Sequence, residues 1–147
     1  MARLARKALP PCGIFHITAR GVDGCLMYRD AVDYELFSGL FKRGVRNARL
    51  EVWAYCWMPN HYHALIEGPL EAISSAFHWI NGIHAQEFNE RHDRRGHLLQ
   101  DRFHAKVIRD DEHLAHACDY IWNNPVRAGL CAKAGDWPWS GQILRSR

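Results

Sequence analysis

Trp53-Ala54-Tyr55-Cys56-Trp57-Met58-Pro59-Asn60-His61-Tyr62-His63-Ala64-Leu65-Ile66-Glu67 holds two short apolar runs divided by Pro59-Asn60, which predicts two strands joined by a tight turn. Side chains alternate between the faces of a strand, so His61 and His63 point one way and Tyr62 the other. Neutral imidazole is a common metal ligand, and two on one face can bind a single ion. Two ligands alone do not make a metal site. The same pair also reads as one histidine hydrogen-bonded in a half-buried sheet and one in solvent, and the rest of the chain has to decide.

Working upstream, Leu50 to Trp57 is apolar on both faces, as a central strand would be. Asp30 is placed to cap a helix carrying Leu36, Phe37, Leu40 and Phe41 at three- and four-residue spacing, with Gly44 and Asn47 loosening its end. Ile14 to Gly21 alternates, with Phe15, Ile17 and Ala19 on one face and His16, Thr18 and Arg20 on the other. Gly21 and Gly24 close that strand. Downstream, Gly68-Pro69 stops the sheet. Ile73, Ala76, Phe77, Ile80, Ile83 and Phe88 then mark a second helix that fades into the charged run Arg91-His92-Asp93-Arg94-Arg95-Gly96. That run suits a solvated loop or a phosphate contact.

From Arg102 to Ile108 alternation returns, with Phe103, Ala105 and Val107 on one face and a basic stripe of Arg102, His104 and Lys106 on the other. Such a stripe serves solubility or phosphate binding. Asp110-Asp111-Glu112 suit the positive end of a last helix, whose buried stripe is Leu114, Ala117, Cys118 and Ile121 and which Pro125 is expected to end at Asn123 or Asn124. The order is β-α-β-β-α-β with an added C-terminal helix. It predicts an α+β, ferredoxin-like fold of four strands, with helices on one face and the other face free for a ligand.

The 147 residues read as a single domain, 1–147, with a basic arm over 1–12 and a C-terminal tail over 131–147. An apolar fraction of 48% with six tryptophans argues for a packed core and against disorder. Net charge is only +3, but fifteen of the nineteen basic residues are Arg, whose planar fork pairs with phosphate and stacks on bases. A nucleic-acid partner is favoured. The five cysteines have no pair closer than thirteen residues, which excludes a Cys-x-x-Cys knuckle. Their odd number suits reduced thiols and a cytoplasmic location. No apolar run is long enough for a membrane span, and the basic N-terminus lacks the apolar core of a secretory signal.

On the last helix Tyr120 and Asn124 stand four apart, hence on one face. Each has an ordinary reading: Tyr120 as an aromatic packed on the sheet, Asn124 as a helix-ending residue. The functional alternative is a phenol hydroxyl and an amide oxygen presented together, one able to act as a covalent nucleophile and the other as a metal ligand. Three runs then coincide: Trp57-Met58-Pro59-Asn60-His61-Tyr62-His63, Gly96-His97-Leu98-Leu99-Gln100-Asp101-Arg102-Phe103, and Tyr120-Ile121-Trp122-Asn123-Asn124-Pro125-Val126-Arg127-Ala128-Gly129-Leu130. In order and spacing they resemble the REP-associated tyrosine transposases, single-tyrosine members of the HUH endonucleases. Phe15-His16-Ile17-Thr18-Ala19-Arg20-Gly21 and Trp137-Pro138-Trp139-Ser140 fit the same pattern, so the resemblance covers nearly the whole chain from about residue 13.

The resemblance implies that His61 and His63 bind a divalent metal, Mg²⁺ or Mn²⁺, with Asn124 as third ligand and Tyr120 as nucleophile. It implies a single-stranded DNA hairpin as substrate, cleaved to a 5′-phosphotyrosine and a free 3′-hydroxyl. Arg20, Arg102, Lys106 and Arg127 would hold phosphates, and exposed members among Trp53, Trp57 and Trp122 would stack unpaired bases. The chain departs from the family at Tyr62, where an aliphatic residue is common, and at Leu99, where an aromatic is usual. Two rivals stand beside this reading. One is a non-catalytic module that presents single-stranded nucleic acid on an open sheet. The other is a zinc hydrolase built on His61 and His63, which lacks a third ligand at a recognised spacing. The sequence is compatible with a monomer and with a homodimer.

Overall fold

A computed structural model describes residues 8–142; most of the basic arm and the last five residues of the tail lie outside the described residues. The chain forms β1 (Cys12–Arg20), α1 (Ala31–Asn47), β2 (Glu51–Met58), β3 (His61–Pro69), α2 (Leu70–Arg91), β4 (His104–Val107), α3 (Asp111–Arg127) and β5 (Ser140–Gln142). The strands make one antiparallel sheet in the order β4-β1-β3-β2-β5. The first four strands follow the expected α+β, ferredoxin-like pattern. The fifth is an addition: part of the stretch read as a tail pairs with β2, with Tyr55 opposite Gly141.

The hairpin at Pro59-Asn60 sets the register on which the rest depends. Met58 faces His61, Trp57 faces Tyr62 and Cys56 faces His63 across it. One sheet face therefore carries Trp57, Tyr62, Ala64 and Ile66 with Phe15, Ile17 and Ala19 of β1, and α1 and α2 close over it with Phe37, Leu40, Phe41, Ile73, Phe77 and Ile80. Trp57 is fully buried between the edges of Phe37 and Phe41, each with ring centroids 4.8 Å away, and its indole N–H donates to Ser38 Oγ at 3.0 Å. It packs the core and is no base-stacking platform. Gly44, expected to loosen the end of α1, lies inside the helix, where an added Cβ would meet Ile80 at 2.8 Å. It is small because the two helices approach closely there. Leu36 faces outward at 38% exposure.

Helix α3 packs on the other face, with Ala117, Cys118 and Ile121 against Ala54, Cys56, Met58 and Leu65. That face is thus half covered rather than free, and its open part lies over β1, β4 and the start of β3. Asp110 caps α3 by accepting from the His113 amide at 2.7 Å. Pro125 does not end this helix. It is buried within it, and near a C-terminus a proline forgoes only one ladder bond. The stop comes at Ala128-Gly129-Leu130. Gly129 adopts φ 75°, its N–H donates to Val126 O at 3.0 Å, and the Leu130 N–H donates to Pro125 O at 2.9 Å. These paired bonds are the glycine-terminated cap that an Ala-Gly-Leu ending favours. The extra turn carries Arg127 back over Tyr120.

Candidate active site

Strand alternation puts His61 and His63 on the α3 face, as expected, with ring centroids 5.1 Å apart and planes nearly perpendicular at 86°. Tyr62, between them, is fully buried on the opposite face, where its hydroxyl donates to Asn81 Oδ1 at 2.9 Å. Burial raises the Tyr62 phenol far above its ordinary value. This tyrosine is withdrawn from any chemistry beside the histidines.

Helix α3 delivers Tyr120 to the pair. Its ring stands edge-on to His63 at 85°, with centroids 5.7 Å apart, and the residue is 49% exposed. The Arg127 guanidinium lies over the Tyr120 ring at 4.2 Å, and its Nη2 donates to the Tyr120 carbonyl at 2.7 Å. Asn124, one turn beyond Tyr120, keeps a buried Nδ2 with no hydrogen-bond partner among the described residues.

The electrostatics keep the imidazoles neutral. Burial, then the neighbouring His16 and His61, then Arg127 and Arg20, push His63 down to about 3. His61 is lowered by burial and by Arg20, which faces it across the β1–β3 ladder. His16 falls to about 4 through burial, Lys106 and His113. Because the unfolded chain returns these groups to 6.5, it takes up protons below that pH that the folded state refuses. Stability is therefore complete above about 6.5 and declines as pH falls from there toward the folded values. His84, buried with its Nε2–H donating to Met27 O at 2.8 Å and also lowered by burial, adds to the trend. Urea midpoints should be lower at about pH 5 than at about pH 7.5; equal midpoints would contradict the burial of these rings.

The residues present fit a divalent ion. The His61 Nδ1–H donates to Asn60 Oδ1 at 2.7 Å, which leaves the lone pair on its Nε2. His63 Nδ1 is likewise engaged, with His16 Nε2 at 2.9 Å, so that Nε2 is its remaining ring nitrogen. In the ligand set that the resemblance implies, His61 and His63 would offer neutral ring nitrogens and Asn124 its carboxamide oxygen. Among the described residues no third His, Cys, Asp or Glu, His16 included, offers a ligand atom within 4.8 Å of one on both His61 and His63; the group that meets that distance, Asp30, Asp33 and His92, lies elsewhere. There Asp33 accepts from the Arg29 amide at 2.8 Å, pairs with Arg91 and meets His92 Nε2 at 2.7 Å. That group joins the start of α1 to the end of α2, and its carboxylate is already satisfied. The zinc-hydrolase reading is left without its third ligand.

A groove beside Tyr120 is lined by His16, Thr18, His63, His104, Lys106, Arg109, His113, Asn123 and Arg127. Lys106 faces His16 across the β1–β4 ladder and so belongs to it. Arg102 does not: it precedes β4 and lines a second hollow with Ser74, Ser75 and His78 of α2. His16 was legible only as a member of the polar face of β1. Its meeting with His63 depends on strand order and register, which no local pattern carries.

A ferredoxin-like sheet with a histidine pair on one face, and a tyrosine brought beside it by the last helix, is the arrangement that the transposase resemblance implies. A model of the family described as "Transposase IS200 like" matches residues 27–124, and the chain belongs to that family. The matched span includes His61, His63, Tyr120 and Asn124. A Haemophilus influenzae protein with the provisional name REP-associated tyrosine transposase is 30% identical over 115 residues, covering 71% of this chain and 65% of its own. The REP-associated tyrosine transposase of Escherichia coli K12 is 28% identical over 110 residues, covering 73% of this chain and 63% of its own. The matches thus span just under two-thirds of the length of these relatives. A solved structure described as a REP-associated tyrosine transposase bound to a REP hairpin superposes with a TM-score of 0.72 over 95% of this chain and 82% of its own, at 24% identity, a likeness of fold. No helix among the described residues is long and apolar enough to cross a membrane.

Proposed function

We propose that the protein is a divalent-metal-dependent strand transferase that cleaves single-stranded DNA beside a palindromic hairpin and holds the 5′ side as a phosphotyrosine on Tyr120. The observation that carries this reading is the delivery of an accessible Tyr120 from α3 to the face on which His61 and His63 stand neutral. The family, and the hairpin named for the solved relative, support it.

The reaction is a phosphodiester exchange. The Tyr120 oxygen attacks phosphorus, a P–O(Tyr) bond forms, the P–O3′ bond breaks, and the leaving 3′ oxygen takes up a proton as the phenol loses one. Bond energy is kept in the phosphotyrosine, so attack by a free 3′-hydroxyl can rejoin a strand. His61, His63 and Asn124 would hold the divalent ion, which when bound would supply positive charge to the scissile phosphate. Imidazole suits Mn²⁺ and oxygen donors suit Mg²⁺, so this mixed set accepts either. Arg127, fixed over the Tyr120 ring, and Arg20, beside His61, meet the flanking phosphates. Lys106 holds the strand farther along the groove.

Salt dependence tests that path. Arg20→Ala and Lys106→Ala should each weaken hairpin binding and flatten the slope of log affinity against log salt by about 0.7, one single-strand phosphate contact. Arg102→Ala, in the second hollow, should leave the slope unchanged. The opposite pattern would move the DNA path to the α2 side. The non-catalytic module is separated by the covalent product: a binder retains the hairpin and forms none.

A further inference from the structure

His16 has no part in the chemistry above, yet it is held more firmly than a surface polar residue needs to be. β1 is laddered on both sides, so His16 is fixed opposite Leu65 of β3 and opposite Lys106 of β4. Its Nε2 lies 2.9 Å from His63 Nδ1, with ring centroids 5.1 Å apart and planes tilted at 43°.

A hydrogen bond between two neutral imidazoles needs one N–H and one lone pair, so two arrangements exist. With the proton on His16 Nε2, His63 Nδ1 is the acceptor, and a neutral His63 must then carry its own proton on Nε2. That leaves His63 no lone pair for an ion. With the proton on His63 Nδ1, His16 Nε2 accepts and His63 Nε2 is free to ligate. His61 reaches the equivalent state by another device, its Nδ1–H donating to the Asn60 carboxamide oxygen, which has no proton to give.

We infer that His16 is a positioning residue of the metal site: its Nε2 accepts the His63 Nδ1–H and holds His63 in the tautomer and orientation that offer Nε2 to the ion. This rests on the metal-dependent reading above. His16 is not itself a ligand in this scheme. Its Nε2 is already used by His63, and the ring nitrogens of His16, His61 and His63 do not form a group within 4.8 Å of one another. Ligating histidines commonly give their second N–H to a carboxylate or a carbonyl. A carboxylate at position 16 would set negative charge beside an incoming phosphate, whereas an imidazole accepts the same proton without charge.

The test uses the full chain without DNA. The His63 tautomer is read by long-range ¹⁵N NMR of the metal-free protein, and Mn²⁺ affinity by EPR titration. Wild type should show His63 protonated at Nδ1. His16→Gln, whose carbonyl oxygen can accept, should keep that tautomer and bind Mn²⁺ within about threefold of wild type. His16→Leu should lose the fixed tautomer and bind Mn²⁺ about 10–100-fold more weakly. His16→Asn, one methylene too short for the contact, should behave as Leu does and replaces it should the Leu variant fail to fold. An Nε2-protonated His63 in wild type, an unchanged tautomer in the Leu and Asn variants, or equal weakening by Gln and Leu would each overturn the inference. A wild type that binds no Mn²⁺ would instead contradict the metal-dependent reading. The NMR measurement needs no ion and decides the role of His16 in either case.

Discussion

Tyr120→Phe is expected to remove covalent protein–DNA product entirely while leaving a folded protein that still binds metal and hairpin. The substitution deletes one oxygen. The ring remains edge-on to His63 and under the Arg127 guanidinium, and the Arg127 bond to the residue-120 carbonyl is a main-chain contact that the change does not touch. At 49% exposure the hydroxyl is not part of the core, so the denaturation midpoint should move little. No second phenol can take over from the adjoining strand, because Tyr62 is sealed on the far side of the sheet against Asn81. Adduct and cleavage should vanish together. Residual cleavage without adduct would point to direct attack by water and would contradict the covalent route.

His63→Ala and His61→Ala should abolish metal-dependent activity, by different margins in other respects. His63 is 8% exposed and lies between His16 and Tyr120. Its loss deletes a ligand, leaves His16 Nε2 without its partner and opens a gap under the tyrosine, so a stability loss of about 1–3 kcal/mol should accompany the loss of metal. His61 lies nearer solvent at the hairpin and should lose metal with a smaller cost in stability. Phosphate-driven hairpin affinity should survive in both, since Arg20, Lys106 and Arg127 remain. Asn124→Ala should be milder. A neutral amide contributes less than an imidazole and water can replace it, so its defect should shrink as Mn²⁺ concentration rises. It also removes a buried Nδ2 that has no partner among the described residues, so stability should hold or increase. Isothermal titration with Mn²⁺ and urea denaturation on the three variants check this ordering; retained metal binding in His63→Ala would displace the ion from this site.

What the sequence made legible is what depends on local rules. The period of two around His61-Tyr62-His63 separates the histidine pair from Tyr62 whatever the sheet's order, and the two histidines do share a face. Asp30 read as a cap and accepts the Asp33 amide at 2.9 Å; Asp110, read only as charge suited to the start of α3, accepts the His113 amide at 2.7 Å. The failures share a physical origin in tertiary packing. Pro125 obeys its local rule only where the helix has somewhere else to go; buried near the end of α3, it costs one bond and the helix continues to the cap at Gly129. Ser140–Gln142 is too short and too polar to read as a strand, and it is one because β2 offers an unpaired edge. Trp57 was misplaced for a related reason: residue type suggests a base contact, whereas the bulk of the core claims the ring. Arg102 lies before β4 and beside α2, outside the groove at Tyr120, because β4 spans only His104–Val107. His16 belongs to the same class: its partner lies forty-seven residues away.

The central claim is that Tyr120 carries the DNA strand, and mapping the attachment point tests it most directly. Wild-type protein is incubated with Mn²⁺ and a single-stranded hairpin oligonucleotide extended on both sides of the stem, the adduct is isolated and digested with protease and nuclease, and the modified peptide is sequenced by mass spectrometry. The account predicts a 5′-linked nucleotide on the peptide containing Tyr120 and on no other tyrosine peptide. A nucleotide on Tyr28, Tyr34, Tyr55 or Tyr62, or hairpin binding with no adduct at saturating Mn²⁺, would contradict it.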